Sequence, residues 1–190
     1  MILPARKNLI QADRQFRACG RICALLNYLA TNDNRNISLL DCAVDDISQE
    51  NEDVIFEFNN GFWILENHEQ NQYKETLCTC KSQLRFTNVN LENSDIYMFK
   101  QIRLFGLRVS TVRIKIKFPI FCARINRGDW QFIFKDEVYD DIRAIFDGFI
   151  YSKPKQCYRK CQIVLENEGT VYSWSEICPD KSRKAGNIAI

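Results

Sequence analysis

Thr111-Val112-Arg113-Ile114-Lys115-Ile116-Lys117-Phe118 alternates between apolar and cationic side chains from Val112 onward. Successive side chains of a β-strand point to opposite faces, so this period of two predicts a strand with one apolar and one cationic face. Arg113, Lys115 and Lys117 then share a face and span ~13 Å along it.

Working outward, Phe99 to Val109 predicts the preceding strand, and Ile120 to Ile125 a continuation bent at Pro119. Asn126-Arg127-Gly128-Asp129 reads as a turn, and Trp130-Gln131-Phe132-Ile133-Phe134 as the next strand. From Asp136 to Tyr151 the spacing changes. Val138, Ile142, Ile145 and Phe149 fall three and four apart, which predicts a helix with acids in its first turn and a stop at Ser152-Lys153-Pro154. Cys161–Glu166 and Thr170–Ser175, joined by Asn167-Glu168-Gly169, predict a closing hairpin.

Toward the N-terminus, Val54–Phe58 and Phe62–Glu66 flank Asn59-Asn60-Gly61, a hairpin signal. A further strand is expected near Leu84 to Leu91, while Ile37 to Ile47 fits a strand or a short helix. From Leu9 to Ala30 the apolar positions Leu9, Ala12, Phe16, Cys19, Cys23, Leu26 and Ala30 recur at helical spacing after Asn8, a suitable N-cap. Strands grouped without alternating helices predict an α+β fold. It is expected to be mostly antiparallel sheet with an N-terminal amphipathic helix. The second half, strand-strand-strand-helix-hairpin, has the element order of an OB-fold. One compact domain is expected over residues 1–178. It divides into a helix-plus-hairpin part (1–95) and a barrel-like part (96–178), and a loose polar tail (179–190) follows.

The 190 residues are 46% hydrophobic and 12% aromatic, enough for a packed core. Seven glycines and four prolines exclude collagen-like and low-complexity classes. Met1-Ile2-Leu3-Pro4-Ala5-Arg6-Lys7 has no apolar run before its charges, unlike a secretory signal. Asp13, Arg14, Arg17 and Arg21 interrupt the longest apolar-rich stretch and exclude a membrane span there. The expected location is intracellular, nuclear or cytoplasmic, where disulfides are rare. Nine cysteines is an odd number, so one molecule cannot pair them all. Cys78-x-Cys80 and Cys157-x3-Cys161 could together form a four-thiolate zinc site if the fold joins them; otherwise the cysteines pack as small hydrophobes and no cofactor is expected.

The net charge of +2 conceals two segments of opposite sign. From Asn36 to Tyr73 there is no Lys or Arg, and nine acids: Asp41, Asp45, Asp46, Glu50, Glu52, Asp53, Glu57, Glu66 and Glu69. From Ile96 to Gly128 there is no acid, and eight bases: Lys100, Arg103, Arg108, Arg113, Lys115, Lys117, Arg124 and Arg127. A cationic sheet face interleaved with rings is how OB-type modules hold single strands, the bases neutralising phosphates and the rings stacking on nucleobases. On this expectation Arg113, Lys115 and Lys117 contact phosphates, flanked by Arg103 and Arg124, with Phe99, Phe105 and Trp130 as stacking candidates. Single-stranded nucleic acid is the favoured partner, and the chain a non-catalytic subunit of a nucleoprotein complex. The alternatives are an adaptor that binds an acidic or sheet-edge protein partner, and pairing of the 41–69 acids with the 100–127 bases within the fold or across a homodimer.

Catalytic readings have less support. His68 is the single histidine and lies among acids, which would keep an imidazolium protonated and oppose thiolate formation. Carboxylates pair at Asp45/Asp46, Glu52/Asp53, Asp136/Glu137 and Asp140/Asp141; the first two pairs could bind a divalent ion, and Asp140/Asp141 read as solvated acids. No glycine-rich phosphate loop, nucleophile elbow or HExxH motif occurs.

Overall fold

The computed structural model describes residues 26–182 apart from Lys74 and Gly106, and all of their side chains except those of Arg103, Arg108, Asp180, Lys181 and Ser182. Strands dominate, in the order β1 (Tyr28–Thr31), β2 (Ile37–Ser38), β3 (Ala43–Val44), β4 (Asp46–Glu50), β5 (Asp53–Phe58), β6 (Trp63–Ile64), β7 (Leu77–Thr79) and β8 (Ser82–Thr87). Then follow β9 (Asn90–Leu104), β10 (Leu107–Ile116), the short helix α1 (Phe118–Asn126), β11 (Trp130–Tyr139), β12 (Arg143–Ser152), β13 (Cys157–Glu166), β14 (Gly169–Trp174) and β15 (Ile177–Ser182).

These strands form three antiparallel sheets: β1-β14-β8-β5-β4, β10-β9-β13-β12-β11-β3, and β15-β7-β6-β2. The first two pack face to face through a layer of rings set edge-on to one another. Phe86 of β8 meets Phe146 of β12 at 5.7 Å, and Phe134 of β11 meets Phe146 at 5.1 Å and Phe58 of β5 at 5.9 Å. Such tilted and T-shaped pairs are the favoured geometry of aromatic cores. The small third sheet closes one end, where Phe62 packs against Tyr172 and Trp174. Helix α1 closes another: Phe121 and Ile125 are buried, and the Asn126 side-chain amide both accepts from the Ile47 N–H and donates to the Ile47 carbonyl, covering the edge of β4.

The α+β expectation is overturned, since the described chain is a mostly antiparallel β protein with one short helix. Of the helix expected from Leu9 to Ala30, the part before Leu26, with Cys19 and Cys23, lies outside the described residues, and Tyr28–Ala30 belong to β1. The helix expected from Asp136 to Tyr151 is the end of β11, a turn, and most of β12. The turn is built by Asp140, whose carboxylate accepts from the Ile142 and Arg143 N–H groups. The stripe of Val138, Ile142, Ile145 and Phe149 is not a core face, and Val138 and Ile142 are 52% and 57% exposed. The buried set is instead Ala144, Phe146, Gly148, Ile150 and Ser152, a period of two. Conversely, Ile120–Ile125, expected as strand, is helical, with Pro119 in the first turn where its missing N–H costs nothing.

Both hairpins expected at Asn59-Asn60-Gly61 and Asn167-Glu168-Gly169 are crossings between sheets. β5 pairs with β4 and β8 while β6 pairs with β2 and β7; β13 pairs with β12 and β9 while β14 pairs with β1 and β8. Hence the order of an OB barrel is absent. The strand expected at Trp130–Phe134 is present as the first half of β11 and that at Thr111–Phe118 is strand only to Ile116, whereas Phe99–Val109, expected as one strand, is the end of β9, a turn at Phe105 and the start of β10. Pro179–Ser182 of the expected tail are strand; residues 183–190 lie outside the described residues.

Candidate functional site

The outer face of the six-stranded sheet, opposite the ring layer, carries cations and aromatic rings in cross-strand rows. Directly opposed residues of an antiparallel pair share a face. Arg113 of β10 lies opposite Phe99 of β9, and Lys115 opposite Tyr97. On the other side of β9, Gln162 of β13 lies opposite Tyr97, and the Lys160 ammonium stands 5.6 Å from the centre of the Phe99 ring. β12 continues both rows, with Phe149 opposite Lys160 and Asp147 opposite Gln162. Beside them Tyr151 and Tyr158 form a ring pair at 4.8 Å, with Tyr158 63% exposed. One row therefore reads Arg113, Phe99, Lys160, Phe149 across four strands.

The cations are held in place. The Arg113 guanidinium lies 3.4 Å from the Tyr97 ring centre and donates to the Gln162 side-chain oxygen at 3.2 Å. Cation–ring contacts of this kind leave the guanidinium edge open to an anion. Asp95 accepts from both Lys115 and the Tyr97 hydroxyl. The Lys115 bond, followed by the Tyr97 bond, holds the Asp95 carboxyl below its ordinary range, and the same contact raises Lys115. Lys115 is thus partly neutralised, and Lys160 stands 4.0 Å from the Asp147 carboxylate, so that among the described ion pairs Arg113 alone of the three has no carboxylate partner.

Of the residues expected from sequence, Phe99, Arg113 and Lys115 lie together on this face. Lys117 does not share it: β10 ends at Ile116, and Lys117 is the exposed N-cap of α1. Arg103 sits in β9 opposite Arg108, near the hairpin turn. Phe105 forms that turn with φ +50° and is 96% exposed, away from the ring rows. Arg124 is on α1, bonded to Asp129 at 2.9 Å and 5.8 Å from the Trp130 ring, on the other side of the sheet. Sequence reasoning missed Phe149, Tyr151, Tyr158 and Lys160. The helical reading of 136–151 hid the first two. The alternation Tyr158, Lys160, Gln162 against Cys161, Ile163, Leu165 was the signal for the others.

The acids of 41–69 do not cover the basic strands. Their described ion pairs run elsewhere: Glu50 and Asp53 to Arg85, both at 2.9 Å, Glu57 to Lys81, and Asp41 to Lys135. Pairing of the two segments within the fold is therefore not what the described ion pairs show. His68, 2% exposed, stacks edge-on against Trp174 at 5.5 Å and accepts from the Gln70 N–H, a core role.

The four zinc candidates are divided between two sheets. Cys78 and Cys80 flank the end of β7, with Cys80 in a disulfide to Cys178. Cys157 and Cys161 lie in β13, and burial pushes the Cys161 thiol up to about 12. No group of three metal-ligating side chains occurs among the described residues. Nor, among these residues, is any helix long and apolar enough to cross a membrane.

Compared with known proteins, the chain matches no family model, no curated protein and no solved structure.

Proposed function

We propose that this chain is a non-catalytic binding module that holds single-stranded nucleic acid on the outer face of its six-stranded sheet. The observation that carries this reading is the row Arg113–Phe99–Lys160–Phe149, with the Tyr151–Tyr158 pair beside it. Rings accept unpaired bases by stacking whatever their sequence, and cations between them neutralise phosphates. A duplex hides its base faces and gains nothing from the rings. The function belongs inside the cell, where such a partner resides; the Cys80–Cys178 bond pulls against that location, because disulfides are rare in reducing compartments.

The test is fluorescence anisotropy of labelled oligouridylate, oligothymidylate and a DNA duplex over a salt series. Single strands should bind more tightly than duplex. The double variant Arg113→Gln/Lys160→Gln should flatten the slope of log K against log salt by about 1.4, because each phosphate left without its cation removes about 0.7. No binding of any oligonucleotide at low salt, or an unchanged slope in the double variant, overturns the assignment.

A further inference from the structure

On the opposite side of the same sheet, beside α1, lies a cleft of about 110 Å³. Its floor is apolar, made by Met98 of β9, Ile150 of β12 and Trp130 of β11, and its rim is cationic, with Arg124, Lys155 and Arg159. The strand register explains why these groups meet. Ile150 lies opposite Arg159 on β13, and Ser152 opposite Trp130 on β11, so the core-facing side of the sheet emerges here past the end of the ring layer. Arg124 comes from α1, stands over Trp130 and is tied to Asp129, which Arg127 also approaches at 3.6 Å. Three cations thus line the cleft and no carboxylate does, and only Arg124 is paired with Asp129, an excess that calls for a small anion of high charge.

We propose that this cleft binds the terminal phosphate of the strand carried on the outer face; the inference rests on that reading and names the terminal group it prefers. Three features select a terminal phosphomonoester over a backbone phosphodiester. A phosphomonoester carries close to two negative charges at neutral pH, and a diester only one. The cleft is small and has an apolar floor, which fits a chain end with its last ring toward Trp130, whereas a through-running backbone needs an open groove. Finally, the turn between β12 and β13 carries Lys155 into the cleft and lies next to Tyr151 and Tyr158 on the outer face. A strand stacked on that pair reaches the sheet end where the cleft opens.

The experiment uses the full chain and labelled oligouridylates with a 5′-phosphate, a 3′-phosphate or hydroxyls at both ends, with adenosine monophosphate as competitor. One phosphorylated form should bind about ten-fold more tightly than the unphosphorylated one. That preference should shrink as pH falls through about 6, where the monoester loses its second charge. Lys155→Gln, and separately Arg159→Gln, should abolish the preference and leave the unphosphorylated strand bound as before. Displacement of the phosphorylated form by adenosine monophosphate down to the unphosphorylated level also supports the site. Equal binding of all three oligonucleotides overturns the cleft while the sheet face stands. A cleft that takes adenosine monophosphate but shows no preference among strand ends is a free-nucleotide site, which also overturns the proposal. Failure of every oligonucleotide to bind removes the sheet-face reading and this one with it.

Discussion

The Arg113 guanidinium lies over the Tyr97 ring, 3.4 Å from its centre, and the Tyr97 hydroxyl is bonded to Asp95. The ring thus positions a cation, while its hydroxyl is spent on a neighbouring acid.

Ring and hydroxyl can be separated by substitution. Tyr97→Phe keeps the platform and should bind oligouridylate within about two-fold of the parent. Tyr97→Ala releases Arg113 and should weaken binding by about ten-fold, within the range of one stacking contact. Anisotropy titrations at one salt concentration suffice, and an equal weakening in the two variants would remove the platform role.

The disulfide joins Cys80 to Cys178 across 98 positions and anchors β15 beside β7. A cross-link over so long a segment restrains the unfolded chain strongly. Cys80→Ser/Cys178→Ser should lose about 2–4 kcal/mol in urea unfolding. Reductant should bring the parent to the same midpoint and leave the variant unaffected. A parent indifferent to reductant would mean that the bond does not form in solution.

Gly61 and Gly128 both have positive φ, at +78° and +71°, yet differ in surroundings. A Cβ on Gly61 would stand 2.0 Å from the Thr79 carbonyl oxygen, whereas on Gly128 the nearest atom is the mobile Lys153 ammonium at 3.8 Å. Gly128→Ala should cost about 1 kcal/mol, the backbone penalty alone. Gly61→Ala adds a clash with main chain and should cost at least ~3 kcal/mol. Thermal unfolding of the two side by side measures the difference.

His68 brings a pH dependence of definite sign. Burial lowers its pKa below 6.5, and this outweighs the opposing pull of Asp33, whose carboxylate is 3.3 Å from Nε2, and of Glu69. With the folded value below the unfolded one, the unfolded chain takes up the proton first. The contribution of His68 is therefore whole above about pH 6.5 and is lost as pH falls toward the folded value, at up to ~1.4 kcal/mol per pH unit. His68→Gln should be less stable at neutral pH and should lack this part of the slope. A parent and variant with parallel stability–pH curves between pH 7 and 5 would contradict the assignment.

The strand at Arg113 and Lys115 and the strand at Trp130 were legible because alternation is a local signal, although the apolar face of β10 stays open, with Val112 and Ile114 40% and 44% exposed. Phe99 and the first-row cation followed from the same pattern. The helix assigned to 136–151 failed because Val138 and Ile145 are apolar yet lie on the outer side of a sheet and Ile142 lies in the turn between them, giving an accidental helical stripe over a true period of two. The two Asn/Gly turns failed for another reason. A turn motif tells that the chain reverses, but the choice between pairing with its neighbour and crossing to another sheet is made by distant strands. Lys160 and Tyr158 joined the site only through the β13–β9 and β13–β12 register, which local sequence does not encode.

Strand β1 is seated on β14, with Tyr28 opposite Trp174 and their rings stacked at 5.7 Å. The earliest described strand thus waits for β14, one of the last described. During translation β8 has no partner on that side, and its edge stays open until β14 has left the ribosome. Folding dominated by such distant pairings is slow and exposes strand edges on the way. A nascent chain stalled before Thr170 should therefore be a preferred client of chaperones, and its release would coincide with the arrival of Trp174.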